Sequence, residues 1–259
     1  MSDVVMAEIR KDYLYHLVLK GERADGRSFD EYREIILETG PVRKADGSAL
    51  VKLGNTQVMV GVKIQPGEPF SDTPNKGVII TNAELVPLAS PNFEPGPPNE
   101  VGIELARVVD RGVRESGAID LEALCIAPGE KVWIVFIDVH VLDDCGNLMD
   151  ASSLGAIAAL MTAKVPAAQY GLGEDYPLPV KDVPVATTAV EFGDATIFDP
   201  DTDEESVADT KLTVITTADG SVCGMQKSGP GFISQDHIYR IVDIACERAK
   251  EIREKFLEV

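Results

Sequence analysis

The apolar positions of this chain switch between a helical and a strand period, and the switches mark its elements. Val5, Ile9, Tyr13 and Leu17 fall four apart, which predicts a helix over about 1–20, ended at Gly21. A strand is expected near 32–38, broken at Gly40-Pro41. Ala49 to Leu53 and Thr56 to Ile64 are runs rich in Val, Leu, Ile and Met, separated only by Gly54-Asn55. Both residues of that pair tolerate positive φ, so the stretch reads as a tight hairpin. Gln65 to Gly77 holds Pro66, Gly67, Pro69 and Pro74 and reads as an exposed loop. Val78 to Leu88 is strand-like, and the prolines between Pro91 and Pro98 forbid regular structure.

Asn99 to Ser116 predicts a helix with Asn99 as N-cap, Glu100 in its first turn, and Leu105, Val109 and Val113 on one apolar face. Val132 to Leu142 is a long apolar strand. Its uninterrupted start predicts burial on both faces before Asp138 and His140 turn outward, and His140 reads as a strand residue, not a catalyst. Asp150 is expected to cap a helix from Ala151 to Val165, ended by Pro166 and built of Ala, Gly and Ser so that it lies close to a sheet. Val185 to Val190 and Ala195 to Phe198 are short strands, and Leu212 to Ala218 with Ser221 to Gln226 make a hairpin about Asp219-Gly220. A last amphipathic helix spans about 234–257, with Ile238, Ile241, Val242, Ala245, Ala249, Ile252 and Phe256 on one face. Strands and helices in this mixed order read as an α+β fold.

Length and composition narrow the class. A chain of 259 residues is one large domain or two lobes sharing a core. With 44% hydrophobic and 26% charged residues it has the composition of a folded protein, and no apolar run is long enough for a bilayer. The N-terminal stretch has no uninterrupted apolar region and does not read as a signal peptide, so a cytoplasmic protein without membrane contact is expected. Cys125, Cys145, Cys223 and Cys246 form no C-x-x-C pair, and His16, His140 and His237 are scattered. This predicts free thiols, no zinc and no catalytic triad. No G-x-G-x-x-G or P-loop is present, and neither metal nor cofactor is predicted.

Charge changes the picture most. A formal charge of −19 argues against general affinity for phosphate, which Lys and Arg supply. Any contact with nucleic acid then requires a local cationic patch on an acidic body. Arg107, Arg111 and Arg114 are spaced i, i+4, i+7, which lines three guanidinium groups along one face of the predicted 99–116 helix. The bland alternative is a solvated face salt-bridged to Glu104 or Asp110. Against it, Asp110 is expected to lie to one side of the stripe, and Arg, which forks phosphate bidentately, is used throughout where Lys would serve equally well on a solvated face.

Several motifs together carry a family resemblance. Gly47-Ser48-Ala49, a strand, Leu53-Gly54-Asn55-Thr56-Gln57 and a second strand resemble the opening hairpin of RNase PH-like exoribonucleases. Arg23-Ala24-Asp25-Gly26-Arg27 before it, and VVDRGVRES, IDVHVLDDCGNLMDASSLGAIAAL and DPDTDEESVADTKLTV after it, follow that family's order from about Arg23 to about Gly229. Within the family the resemblance is to the non-catalytic ring subunit of the archaeal exosome. It implies a single RNase PH-like domain over 1–259, made of two βαβα-like halves with mixed sheets and packed helices. It implies a homologous catalytic partner, three heterodimers closing a hexameric ring, RNA-binding cap subunits, and single-stranded RNA gripped by Arg107, Arg111 and Arg114.

The same resemblance bears on catalysis. Active members cradle phosphate with Gly then Ser or Thr, and Arg nearby, at the turn before the helix that follows the long strand. Here that turn reads Cys145-Gly146-Asn147-Leu148-Met149-Asp150, with no hydroxyl and no Arg, and with Asp150 placed where an anion would sit. Ser152 and Ser153 lie just inside the helix as substitute donors. Asp203, Asp209 and Lys211 match the spacing of the active members' metal-binding acids, but other acidic residues crowd the same segment. The expectation is a chain without catalytic residues. The alternatives are an active phosphate-dependent 3′-to-5′ exoribonuclease and a purely structural acidic scaffold.

Overall fold

The computed structural model describes residues 12–258. Residues 12–19 are helical (α1), so the expected N-terminal helix is present up to Leu19, while Val5 and Ile9 lie outside the described residues. Four strands follow: β1 (Ile35–Thr39), β2 (Gly47–Leu53), β3 (Thr56–Gly67) and β4 (Val78–Leu85). The β2–β3 turn is the two-residue Gly54-Asn55, with Leu53 opposite Thr56. Only Gly54 takes positive φ there, at 57°, the arrangement of a II′ turn, which asks for glycine at its first central position alone.

Next come α2 (Glu100–Glu115), β5 (Cys125–Ala127), β6 (Lys131–Asp143) and α3 (Leu148–Thr162). Asn99 caps α2 as expected, its side chain accepting from the Gly102 N–H. The cap of α3 is a correction. Asn147, not Asp150, is the N-cap, and the helix ends at Thr162 with Ala163 extended, before Pro166 is reached. Asn147 reaches that position because it adopts the left-handed conformation at φ 56°, which Asn tolerates better than most residues. The chain continues through β7 (Lys164–Val165), β8 (Tyr176–Pro177), β9 (Val185–Phe192), β10 (Ala195–Phe198), α4 (Thr202–Val207), β11 (Thr210–Thr216), β12 (Val222–Ser228) and α5 (Gln235–Ile252). One wider π turn, Arg253–Leu257, extends α5.

Strands β1-β2-β3-β6-β4 form one mixed sheet, with β4 parallel to β6 and β5 pairing off the path. A second, antiparallel sheet runs β10-β9-β11-β12. Helices α2 and α3 fill the space between the sheets, and α5 covers the far side of the second. This layering explains two burial patterns. β6 begins with Val132 and Trp133 both buried and then alternates half-buried and buried from Ile134 onward, so burial on both faces is confined to those two residues: only one face of the first sheet meets helices. The strand buried along its whole length is β9, sandwiched between α3 and α5 although it reads VATTAVEF. The Ala- and Gly-rich α3 does lie close to the sheet: a Cβ on Gly47 would stand 2.3 Å from the Ala159 carbonyl oxygen. No helix among the described residues is long and apolar enough to cross a membrane.

Candidate functional site

Two places hold the candidate residues: the turn into α3, and the outer face of α2.

At the turn, Gly146 adopts φ 90° with the backbone of Asp201 and Thr202 pressed against it, 2.4 Å from where a Cβ would stand. Only glycine fits both demands. Asn147 follows, fully buried, and its amide nitrogen donates to two carboxylates, Asp150 Oδ2 at 2.9 Å and Asp199 Oδ1 at 2.8 Å. Its amide oxygen caps the Asp150 N–H, and its own N–H donates to Glu205 Oε1 at 3.3 Å. These donors at the start of α3 are therefore occupied by the chain's own acceptors.

Asp150 is buried and accepts from the Tyr32 hydroxyl at 2.7 Å, the Thr188 hydroxyl at 2.7 Å and the Thr188 N–H at 3.0 Å. Burial outweighs these donors and pushes its carboxyl up to about 6. Asp199, also fully buried, holds positive φ at 47° and faces cations instead. Arg33 forks onto it with contacts of 2.7 and 2.9 Å, and Arg27 reaches it at 2.8 Å. Burial pushes against ionisation of Asp199, yet Arg33 holds its carboxyl below the usual range. Arg33 also donates to the carbonyls of Cys145 and Gly146, and so ties the turn to the same carboxylate. Behind it Arg23 is buried in a bidentate pair with Glu204, at 2.9 and 2.7 Å, and donates to the carbonyls of Phe198 and Asp199.

The consequence is chemical. Where the family resemblance places a phosphate cradle, this chain has two buried carboxylates bridged by an amide, and the arginines beside them are turned onto acids and carbonyls. A second anion there would meet carboxylates in a poorly solvated place, at a cost of order several kcal/mol. Ser152 and Ser153 do not substitute, since both hydroxyls are buried in α3, with no hydrogen-bond partner among the described residues. Asp203 is exposed in the first turn of α4, while Asp209 accepts from the Tyr15 hydroxyl at 2.5 Å and the Gly193 N–H at 3.0 Å, and Lys211 pairs with Glu205. Among the described residues no three His, Cys, Asp or Glu side chains gather as a ligand set.

Sequence reasoning missed Arg23, Arg27, Arg33, Asp199 and Glu204 as members of this cluster. The signal available was the Arg-x-x-x-Arg spacing of Arg23 and Arg27 together with the acidic 199–205 segment, but their juxtaposition depends on contacts more than 170 residues apart in the chain.

On α2 the three arginines do share a face, but they differ in partners. Arg107 is exposed, and no hydrogen bond or ion pair holds it among the described residues. Arg111 is half-buried and leans on β12, with Nη1 at 3.4 Å from both the Met225 carbonyl and Gln226 Oε1. Arg114 is pinned: it forks onto Asp110 with two contacts of 3.0 Å and donates to the Ile79 carbonyl at 3.0 Å. Asp110 therefore does not stand aside from the stripe; one helical turn brings it under Arg114. His140 sits on β6 beside Glu84, at 3.3 Å, as a strand residue.

Profiles described as "3′ exoribonuclease family, domain 1" and "domain 2" match residues 31–166 and 182–248. The exosome complex component Rrp42 of Methanocella arvoryzae is 65% identical over 255 residues, 98% of each chain. That of Archaeoglobus fulgidus is 56% identical over 259 residues, all of each chain. A solved chain of the Archaeoglobus fulgidus exosome with RNA bound to the active site superposes with a TM-score of 0.95 at 56% identity, covering 97% of this chain and 99% of that one. A chain of an archaeal exosome core gives 0.92 at 52% identity, covering 99% and 100%.

Proposed function

This chain belongs to the 3′ exoribonuclease family, and on that premise we propose that it is a non-catalytic subunit of an RNA-degrading exosome ring. The observation that carries the non-catalytic role is the closed turn: Asp150 and Asp199, bridged by Asn147, occupy the place where active members cradle phosphate. Phosphorolysis needs bound phosphate as its nucleophile, so the reaction is carried by a homologous catalytic RNase PH-like subunit paired with this one. Three such heterodimers close a hexameric ring in the cytoplasm, with RNA-binding caps above it. Full-length similarity to exosome components supports this assembly.

The subunit's own contribution is to complete the partner's site and to hold single-stranded RNA on α2. Arg107 and Arg111 offer guanidinium groups to phosphate, and Arg114 adds the edge left over by Asp110. A cationic stripe on a body of net charge −19 confines RNA to one track, because the rest of the surface repels it.

A 5′-labelled oligoadenylate with phosphate and Mg²⁺ tests the reading. The chain alone is expected to leave it intact, and the chain with its partner to shorten it from the 3′ end in a phosphate-dependent manner. Shortening by this chain alone, abolished by Asp203→Ala, would establish the active-enzyme alternative.

A further inference from the structure

The arginine stripe lies on a helix that also carries four acidic residues, and their arrangement is specific. Glu104 is three positions before Arg107, and Asp110 three positions after it. On a helix surface both stand within reach of that guanidinium, and either would neutralise it. Neither does so. Glu104 Oε1 is turned onto β12, accepting from Ser228 Oγ at 2.6 Å and Gln226 Nε2 at 2.9 Å. Asp110 is taken by the fork of Arg114 and by the Thr81 hydroxyl at 3.2 Å. Glu115, four after Arg111, makes no ion pair with it among the described residues, and Glu100 is two turns from Arg107.

We infer that Ser228 and Gln226 are positioning residues for RNA binding: they divert the Glu104 carboxylate and so keep Arg107 cationic and free. Arg114 performs the matching task for Asp110. This rests on the reading of α2 as the RNA-holding helix and deepens it, dividing the stripe into two arginines that meet RNA most directly and a third that mainly shields them. The physical reason is the geometry of the second sheet. β12 is its edge strand and runs beside α2, so its side chains supply donors that a solvated helix would lack. Removing those donors frees Glu104 to turn toward Arg107, three positions on along the same helix. An i, i+3 ion pair there is weak in itself, but it cancels the arginine of the stripe that has no partner among the described residues.

The test is a rescue. In the ring assembled with the catalytic partner, oligoadenylate binding is measured against salt for Ser228→Ala, for Gln226→Ala/Ser228→Ala, and for the latter combined with Glu104→Gln. Ser228→Ala alone matters because Gln226 also touches Arg111, and because it perturbs the edge strand least. The double variant is expected to bind about threefold or more weakly and to lose ~0.7 from the log–log salt slope, as for one phosphate contact on a single strand. Ser228→Ala moves in the same direction. Adding Glu104→Gln restores affinity and slope, because an amide cannot neutralise Arg107. Wild-type binding by the double variant, or weak binding that Glu104→Gln does not restore, overturns the proposal. Arg107→Ala in the same ring separates this failure from a deeper one: an unchanged slope there overturns the RNA-binding reading itself, and this proposal with it.

Discussion

Asp150 is the residue whose replacement should be felt most simply. Its carboxyl titrates at about 6 in the folded chain, against an ordinary value of 3.8, because burial disfavours the charge. An acid raised by folding binds a proton more tightly in the native state, so its stabilising contribution is complete below about 3.8 and is lost as pH rises through about 6. A shift of this size corresponds to of order 3 kcal/mol of stability lost across that window. Glu205, also raised by burial, adds a slope of the same sign. Asp199, held low by Arg33, loses its contribution as pH falls through its depressed value and therefore acts below the window. Asp150→Asn is expected to flatten the fall in stability between about pH 4 and 6, measured by urea unfolding at several pH values. An unchanged slope would show that the charge of Asp150 is not what burial opposes. Arg33→Met tests the neighbouring pair: it leaves a buried Asp199 short of its main partner and is expected to cost about 3 kcal/mol.

At the scale of elements, the site depends on close approaches that glycines permit. Gly146 lets the segment before α4 lie on the turn before α3, which brings Asp199 to Asn147. Gly146→Ala adds a methyl into backbone and strains a positive φ together, so a loss of about 2 kcal/mol or more is expected by denaturant midpoint. Gly47→Ala pushes β2 from α3 and is expected to cost about 1–3 kcal/mol. It should leave the RNA affinity of α2 unchanged, since α2 packs on β4, β12 and α3 and not on β2, and its arginine face points outward. A Gly47→Ala variant as stable as the parent would mean that the helix shifts freely over the sheet.

For the whole molecule, the layering places the chemistry. α2 and α3 lie between two sheets, so α3 presents its start to the cluster of buried Arg23 and half-buried Arg27 and Arg33, while α2 keeps one face outward beside β12. The closed turn and the cationic helix thus belong to the same inner layer. Rings assembled with this chain should therefore tolerate Asp203→Ala together with Asp209→Asn with phosphorolysis retained, whereas loss of Arg107 and Arg111 should weaken RNA binding with the ring intact. Phosphorolysis abolished by the acid substitutions, with assembly preserved on gel filtration, would return those residues to the reaction.

The sequence determined the longer elements, the α+β class, the cap at Asn99 and the hairpin turns, because period, capping and turn chemistry are local, whereas α4 and the short β5, β7 and β8 carry too few periodic positions to be read from it. It also exposed the Cys145–Asp150 turn as one without phosphate donors. Three things were decided only by the tertiary structure. Asn147 became the cap of α3 because the Asp199 segment folds over it, and Asp150, expected as a cap, became a buried acceptor for Tyr32 and Thr188. β9, not the start of β6, became the fully enclosed strand, because helices cover both faces of the second sheet and one face of the first. The arginines of the 23–33 segment and the acids of the 199–205 segment met only through folding. Which charges pair, and which are left free for a ligand, depends on distances between residues remote in the chain, and no local pattern encodes them.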